Sequence, residues 1–155
     1  MSGGTNPPQE GGRMSGKGIA LRIPVEPQPK LRPRFHIRRG RIATETPYKT
    51  REFENTIAEY YRYEAKGFKY DEKVPLVVDL VFGMKIPQSY SKKRRQDIDL
   101  GLLMPTTKPD IDNLTKSILD ALNGIAFVDD SQIVQITAAK EYAAEPYIYL
   151  NIREM

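Results

Sequence analysis

The chain has 155 residues, no cysteine, one histidine and a net charge of +4, with an isoelectric point near 9.2. Without cysteine it can hold neither disulfides nor sulfur-ligated zinc nor a thiolate nucleophile, and its length suits one domain with one core. It lacks both a secretion signal and an apolar run of the roughly 20 residues that a membrane span needs, so we expect a cytoplasmic protein with no membrane partner.

The first residues differ in composition from the rest. Residues 1–17 are rich in Gly, Pro and Ser and poor in large apolar side chains. Such a segment cannot bury enough surface to offset the entropy that ordering would cost. We therefore expect a disordered tail at residues 1–17 and one folded domain over residues 18–155.

The folded part opens on an alternating pattern. Ile19, Leu21, Ile23 and Val25 are apolar at every second position, before prolines interrupt the pattern. A period of two that ends at prolines is typical of a half-buried strand near a sheet edge. We predict this strand over residues 19–25.

A basic stretch follows the strand. Phe35, Ile37 and Ile42 alternate roughly across Arg39-Gly40, which predicts an extended arm or a hairpin. The candidate DNA-binding residues are the basic residues of this stretch and of a second block, namely Lys30, Arg32, Arg34, Arg38, Arg39, Arg41, Lys92, Lys93, Arg94 and Arg95. For one block alone, a solvated loop is an equally good explanation. Two blocks together favour a polyanionic partner.

The middle of the chain combines a helix, a strand and a long connection. Apolar and aromatic residues recur at helical spacing over residues 47–65, with Thr46 as the expected N-cap. Residues 74–84 are apolar on nearly both sides, as in an interior strand. The connection over residues 86–108 is longer than typical loops, which predicts a functional or mobile segment.

The chain closes with two predicted strands. Residues 132–140 and 147–152 have strand-like patterns on either side of a turn. Helices and strands mix without a repeating βαβ rhythm. The predicted fold class is therefore α+β, with a small mixed β-sheet packed against two main helices.

The second main helix is predicted over residues 108–124, between Pro109 with an acidic first turn and Asn123-Gly124. At about 100° per residue its apolar and polar residues separate onto two faces. The apolar face carries Ile111, Leu114, Ile118, Ala121 and Leu122, and the opposite face carries Asp112, Lys116 and Asp120.

Two explanations of the acidic residues on this helix stay open when it is considered alone. In the first, Asp110 is an N-cap, and Asp112, Lys116 and Asp120 form a surface charge ladder. In the second, the carboxylates do chemistry. The next segment favours the second, because an apolar run at residues 125–128 leads directly into further carboxylates.

Asp129 and Asp130 follow that run and precede a strand. Aspartates packed together near one helix start and one strand start repel one another unless a divalent cation compensates their charge. Oxygen ligands without Cys or His nearby select Mg²⁺ or Mn²⁺. The metal candidates are Asp110, Asp112, Asp129 and Asp130.

A carboxylate cluster beside basic surface fits metal-dependent phosphodiester hydrolysis. Lys116, one turn beyond Asp112, is placed to offer a cation to the transition state or to orient water. Its structural alternative is an ion pair with Asp112 or Asp120, and both roles can hold together. A Ser-His or Cys-His hydrolase is disfavoured, because His36 is the only histidine and lies in the basic stretch.

Three stretches in this order resemble the RusA-type Holliday junction resolvases: Lys108-Pro-Asp-Ile-Asp-Asn-Leu-Thr-Lys116, Leu119-Asp-Ala-Leu-Asn-Gly124 and Val128-Asp-Asp-Ser-Gln132. The spaced set of Asp-x-Asp-Asn-x-x-Lys and Asp-Asp-x-Gln is far more specific than a lone acidic pair. Residues 29–34 and 87–95 also resemble members from Gram-positive bacteria and their phages, so the likeness spans roughly residues 19–152.

The resemblance implies a RusA-like fold and a symmetric homodimer that cuts four-way branched DNA with Mg²⁺, for which Mn²⁺ can substitute. Its metal-binding aspartates fall on Asp110, Asp112 and Asp130, and its essential lysine falls on Lys116. Together these four are the predicted catalytic residues. Asp129 and Asp120 match acidic positions of less defined role.

Two other functions are alternatives for the same residues. The first is a different metal nuclease, in which Pro109-Asp110 is followed by a second acid and a lysine on an adjoining strand. Here the lysine lies on the same helix as the acids. The second is a non-catalytic nucleic-acid-binding module with a structural acidic helix, whose binding would survive loss of the carboxylates.

Overall fold

The structure is a computed structural model that describes residues 18–155, and the tail predicted for residues 1–17 lies outside the described residues. In chain order the elements are β1 (Gly18–Ile23), β2 (Arg34–Arg38), β3 (Arg41–Glu45), α1 (Tyr48–Glu64), β4 (Leu76–Lys85), α2 (Lys92–Asp99), α3 (Ile111–Leu122), β5 (Ile133–Ala143) and β6 (Tyr147–Glu154). A 3-10 turn (Asp130–Gln132) precedes β5.

Four of the strands form a mixed sheet in the order β1, β6, β4, β5. β6 is antiparallel to both β1 and β4, whereas β4 and β5 are parallel. A parallel pair requires the chain to cross back over the sheet, and α2 and α3 lie on that crossover. The predicted α+β class with a small mixed sheet is confirmed.

The core lies between one face of this sheet and helices α1 and α3. Its fully buried residues include Ile57 and Tyr61 of α1, Leu114, Ile118 and Leu122 of α3, and Ile148, Leu150 and Ile152 of β6. On α3 they follow the predicted helical period, and on β6 they follow a period of two. Each such side chain stabilises the fold by about 2 kcal/mol relative to its exposed state.

The opposite face of the sheet is closed by side-chain pairs. The Tyr147 ring lies over Gly83, where an added Cβ would come within 2.2 Å of a ring carbon. The Arg22 guanidinium stacks on the same ring at 4.0 Å, and the Tyr147 hydroxyl donates to Glu141. Glycine at position 83 is therefore what allows Tyr147 to cover this face.

β2 and β3 form a separate two-stranded hairpin. Its turn residues Arg39 and Gly40 both have positive φ, of 51° and 73°. Two consecutive positive φ values define the type I′ turn that tight hairpins favour. Of the two forms predicted for the basic stretch, the hairpin is the one observed.

The structure corrects two details of the sequence prediction. The N-cap of α1 is Pro47 and not Thr46. The connection over residues 86–108 contains the unpredicted helix α2, which buries no residue and so leaves no apolar period to detect. Its one local signal is Ser91, whose hydroxyl caps the helix by accepting from the Arg94 amide at 3.3 Å. Among the helices of residues 18–155, none is long and apolar enough to cross a membrane.

Candidate active site

Two exposed carboxylates lie at the start of α3. Asp110 occupies the N-cap position, yet its side chain accepts no capping hydrogen bond. Asp112 lies in the first turn, and both residues are exposed. Within residues 18–155 neither carboxylate takes part in a hydrogen bond or ion pair. Asp110 is therefore the N-cap by position, as the first explanation predicted, but its carboxylate makes no capping bond, and both carboxylates are available to a ligand.

The start of α3 is held above β5 by Lys140. The Lys140 ammonium donates to the backbone carbonyls of Thr107 and Pro109, at 3.0 and 3.1 Å. Further along α3, the buried Ser117 hydroxyl donates to the carbonyl of Gln28 at 2.8 Å. The segment that carries Asp110 is thus fixed to the sheet on one side and to the chain before the hairpin on the other.

Lys116 lies one turn beyond Asp112 with a side chain that is 62% exposed. Its ammonium is 3.8 Å from the Asp120 carboxylate, which is the structural partner expected for it. That carboxylate is closer to Lys30, at 3.0 Å. The contact with Lys116 is therefore the looser of the two, and the Lys116 ammonium remains accessible from solvent.

The second acidic pair is used differently. Asp129 caps the 3-10 turn by accepting from the amide and hydroxyl of Ser131. The hydrogen bond from the Ser131 hydroxyl, which is the largest contribution, lowers the pKa of the Asp129 carboxyl. Asp129 is thus committed to the turn, while Asp130 beside it is exposed.

Gln132 completes this turn and is a structural residue whose role the sequence did not reveal. It is buried, and its Oε1 accepts from the amides of Val128 and Asp129 at 2.9 and 3.1 Å. Its Nε2 donates to the carbonyls of Asp71 and Val74 at 2.7 and 3.2 Å. Gln132 therefore ties the acidic turn to the loop before β4. Its place in the motif was visible, but its burial was not.

The two acidic pairs lie far apart along the described chain. The 12 residues of α3 separate them along the helix by about 18 Å. Along β5, the distance from Ile133 to Lys140 is about 23 Å at about 3.3 Å per residue. Within residues 18–155 no three His, Asp or Glu side chains are placed to hold one metal ion. The expected packing of all four aspartates together does not occur within one chain.

The residues that are present at the start of α3 fit a magnesium ion in their chemistry. Asp110 and Asp112 offer hard carboxylate oxygens at a helix start, as Mg²⁺ prefers. A protein site for Mg²⁺ often has few carboxylates and keeps several waters. The further carboxylate implied by the sequence motif is missing from this end of α3.

Among the predicted DNA-binding residues, Lys30 is already engaged. Its ammonium lies 2.7 Å from Glu54 of α1 and 3.0 Å from Asp120 of α3. Burial alone would lower the pKa of Lys30, but the hydrogen bonds and charges of the two carboxylates outweigh it and raise the pKa. Lys30 therefore joins the two helices, and its contact with DNA stays a prediction.

The other basic residues divide by their contacts. Arg94 stacks at 4.4 Å on the Tyr90 ring, and Arg95 donates to the carbonyls of Tyr90 and Pro87. Lys92 and Lys93 open α2, and the first turn of this helix contains no acidic residue. Cations at a helix start oppose the helix dipole and concentrate positive potential there. In the hairpin Arg34, Arg38, Arg39 and Arg41 are exposed, as is Arg32 before it.

Comparison with known proteins gives a family and a relative. The family described as endodeoxyribonuclease RusA matches residues 24–153. The chain is 36% identical over 137 residues to the uncharacterized protein YqaN of Bacillus subtilis (strain 168), an alignment that covers 88% of this chain and 96% of that protein. The family match includes both acidic pairs, Lys116 and the basic hairpin.

Proposed function

The chain belongs to the endodeoxyribonuclease RusA family, and from that premise we propose that it is a structure-selective, Mg²⁺-dependent endodeoxyribonuclease that resolves four-way DNA junctions in recombination and repair. The observation that carries the proposal is the pair of free carboxylates, Asp110 and Asp112, at the start of α3. A purely structural N-cap aspartate is expected to accept a capping hydrogen bond, and Asp110 does not.

In this proposal Asp110 and Asp112 hold Mg²⁺, or Mn²⁺ in its place, with further help from Asp130. The metal, when bound, would activate water and offset charge on the scissile phosphate. Lys116 would turn its ammonium from its loose contact with Asp120 to the same phosphate, because only one helical turn separates it from Asp112. The exposed basic residues of the hairpin and α2 bind the phosphates around the site and position the DNA by charge.

The proposal includes a homodimer, since a four-way junction is resolved by cuts in two opposed strands and a two-fold dimer offers two sites. The separation of the acidic pairs supports it independently. If one protomer supplies Asp110 and Asp112, Asp130 must come from elsewhere, because a helix of about 18 Å lies between them. The partner's Asp130 is the simplest source.

The unpaired edge of β5 is a suitable surface for this partner. β5 ends the sheet, and Val134 and Ile136 on it are 57% and 43% exposed. It contains no proline, and the ammonium of its one lysine, Lys140, is turned toward α3. Prolines and outward-pointing lysines usually prevent a sheet edge from pairing with another strand. β5 has neither, so its edge is open to a partner strand.

Antiparallel pairing of two β5 strands about a two-fold axis would also bring the acidic pairs together. Asp130 precedes the start of β5, and Lys140 near its end is bonded to the carbonyl before Asp110. In an antiparallel pair the start of each strand lies beside the end of the other. Each Asp130 would then approach the partner's Asp110 and Asp112.

The test compares a synthetic four-way junction, a fork and a linear duplex of the same sequence, each with Mg²⁺ or with EDTA. We expect paired cuts near the branch point of the junction in Mg²⁺, no cleavage in EDTA and no comparable cleavage of the duplex. Asp112→Asn is the matched control for contaminating nuclease. Equal cleavage of the duplex would refute junction selectivity, and binding without cleavage in Mg²⁺ would favour the non-catalytic module.

A further inference from the structure

The hairpin of β2 and β3 has two unlike faces. Opposite residues of an antiparallel pair lie on the same face, so Ile37 shares a face with Ile42, and Phe35 shares it with Thr44. The other face carries Arg34, His36, Arg38 and Arg41. The hairpin is therefore apolar on one side and basic on the other.

The apolar face is uncovered within the described chain. Phe35, Ile37 and Ile42 are 74%, 79% and 77% exposed, and neither β2 nor β3 pairs with the main sheet. A two-stranded hairpin is marginally stable by itself in water. Exposing three large apolar side chains to water is unfavourable, and such a patch is typical of a surface that binds another molecule.

The base of the hairpin is fixed next to the acidic end of α3. Before β2, the Lys30 amide donates to the Asn113 carbonyl at 3.4 Å, and the Leu31 amide donates to the Thr50 hydroxyl at 3.4 Å. After β3, Glu45 lies 3.7 Å from Arg51 of α1. Asn113 is in the first turn of α3 beside Asp112. The five residues of each strand then extend the hairpin about 16 Å from this base.

The charge of the hairpin decides which molecule fits it. Arg38, Arg39 and Arg41 surround the tip, and the one acid, Glu45, lies at the base near Arg51. A second copy of the chain packed on the apolar face would bring two basic hairpins together and would leave the arginines of the opposite face without a partner. DNA satisfies both faces, because phosphates bind arginine while unstacked bases offer flat apolar surfaces.

We propose, resting on the nuclease function above, that the hairpin is a wedge whose Phe35, Ile37 and Ile42 enter the branch point and pack on its unstacked bases. The arginines of the opposite face hold the flanking phosphates. Apolar wedges between base steps cost unstacking energy in a continuous duplex. At a branch point part of that energy has already been lost, so the wedge favours junctions over linear DNA.

The test places 2-aminopurine, whose fluorescence rises on unstacking, at the crossover of a junction bound in EDTA. Wild-type protein should raise the fluorescence several-fold. The double variant Ile37→Ser/Ile42→Ser should lose most of the rise and slow junction cleavage in Mg²⁺ by about tenfold, the order expected from losing one or two apolar wedge contacts. Tyr63→Ser is the matched control, since Tyr63 is 82% exposed on α1.

The outcomes separate this proposal from the function on which it rests. If wild-type protein fails to cleave the junction in Mg²⁺, the nuclease proposal fails. If it cleaves the junction and the double variant keeps the full fluorescence rise, the wedge is wrong. Sedimentation and thermal melting of the double variant complete the test. A double variant that becomes monomeric would overturn the wedge, because the apolar face would then be a contact between copies of the chain. If assembly and stability are unchanged, the fluorescence decides.

Discussion

The two ends of α3 use the same residue type in opposite ways. At its start, Asp110 lies at the N-cap without a capping bond, and the Asp112 side chain makes no hydrogen bond or ion pair within the described residues. Beyond its end, Asp129 accepts the capping bonds of a turn that the buried Gln132 anchors. The carboxylates at the start of α3 are available to a ligand, whereas one of the two carboxylates beyond its end, that of Asp129, caps a turn.

This difference separates the aspartates of the motif by how free their carboxylates are. A carboxylate that accepts hydrogen bonds from its own turn is less free to reorient toward a metal, whereas an unengaged one is limited only by its backbone. By that criterion Asp110, Asp112 and Asp130 are candidates for ligands, and Asp129 is a cap. Substitutions at the two ends should therefore separate activity from stability.

The largest expected effect comes from the start of α3. Asp112→Asn or Asp110→Asn should lower the cleavage rate of a four-way junction by about 10³-fold or more, because a metal ligand is lost. Binding of the junction should be equal or tighter, since one negative charge facing phosphate is removed. Single-turnover cleavage and a gel-shift titration at one salt concentration measure the two quantities.

The stability of these variants is the internal control. Because neither carboxylate has a partner within residues 18–155, the unfolding free energy should change by less than about 1 kcal/mol, the size of a helix-dipole contribution. A variant that loses cleavage and also unfolds several kcal/mol more easily would mean that the carboxylate is structural after all.

Lys116→Ala should lower turnover by about 10²-fold, as expected for one cation aimed at a transition state. The loose contact with Asp120, at 3.8 Å, predicts almost no loss of stability. The matched control is Lys66→Ala, which removes an exposed lysine after α1. Turnover of Lys116→Ala equal to that of the control would reduce Lys116 to an ion-pair partner.

The opposite end should respond in stability. Gln132→Ala removes a buried amide that makes four hydrogen bonds, and it should lower the unfolding free energy by about 2 kcal/mol because backbone groups are left unsatisfied. Urea unfolding followed by circular dichroism measures this. A change no larger than that of Gln96→Ala, which removes an exposed glutamine of α2, would contradict the anchoring role.

Asp129 gives a smaller and more discriminating effect. Asp129→Ala should cost about 1 kcal/mol, because the cap of the turn is lost, and Asp129→Asn should cost less, since Asn also caps well. As a cap, Asp129 predicts substantial cleavage by the Asn variant. If Asp129→Asn is as inactive as Asp130→Asn, Asp129 is a ligand and the proposed division between the two residues is wrong.

The smallest effect concerns pH. The pKa of Lys30 is raised above 10.5 in the folded protein, so its stabilising contribution is complete below pH 10.5 and is lost as the pH rises through the folded pKa. The difference in unfolding free energy between wild type and Lys30→Met should shrink over that range. A difference that stays constant with pH would exclude the ion pairs with Glu54 and Asp120 as its source.

Much of the fold was predictable, because periodicity reports burial directly. The alternation at Ile19, Leu21 and Ile23 and the helical spacing of Leu114 and Ile118 correspond to buried faces in the structure. Helix α2 was missed because it is exposed all round and has no such period. The sequence allows two forms for the basic stretch, an extended arm or a hairpin, since its apolar residues face outward and its turn dipeptide, Arg39-Gly40, is less specific than Asn-Gly.

The residues of the candidate site stay a prediction, and their expected clustering in one chain does not occur among the described residues. The motif gave Asp110, Asp112, Lys116 and Asp130, but proximity in sequence suggested proximity in space. The intervening helix separates the pairs, because the apolar spacing that makes α3 regular also makes it about 18 Å long. Whether Asp129 or Asp130 serves as the cap depends on side-chain contacts that no spacing encodes.

We propose that each active site combines Asp110 and Asp112 of one protomer with the partner's Asp130. A heterodimer tests this arrangement most directly. An Asp112→Asn chain and an Asp130→Asn chain, each inactive as a homodimer, are co-expressed with different tags and purified through both. In a shared arrangement one of the two sites in this heterodimer is intact, so it should nick a four-way junction at about half the wild-type rate. Absence of nicking above the level of either homodimer would contradict the account.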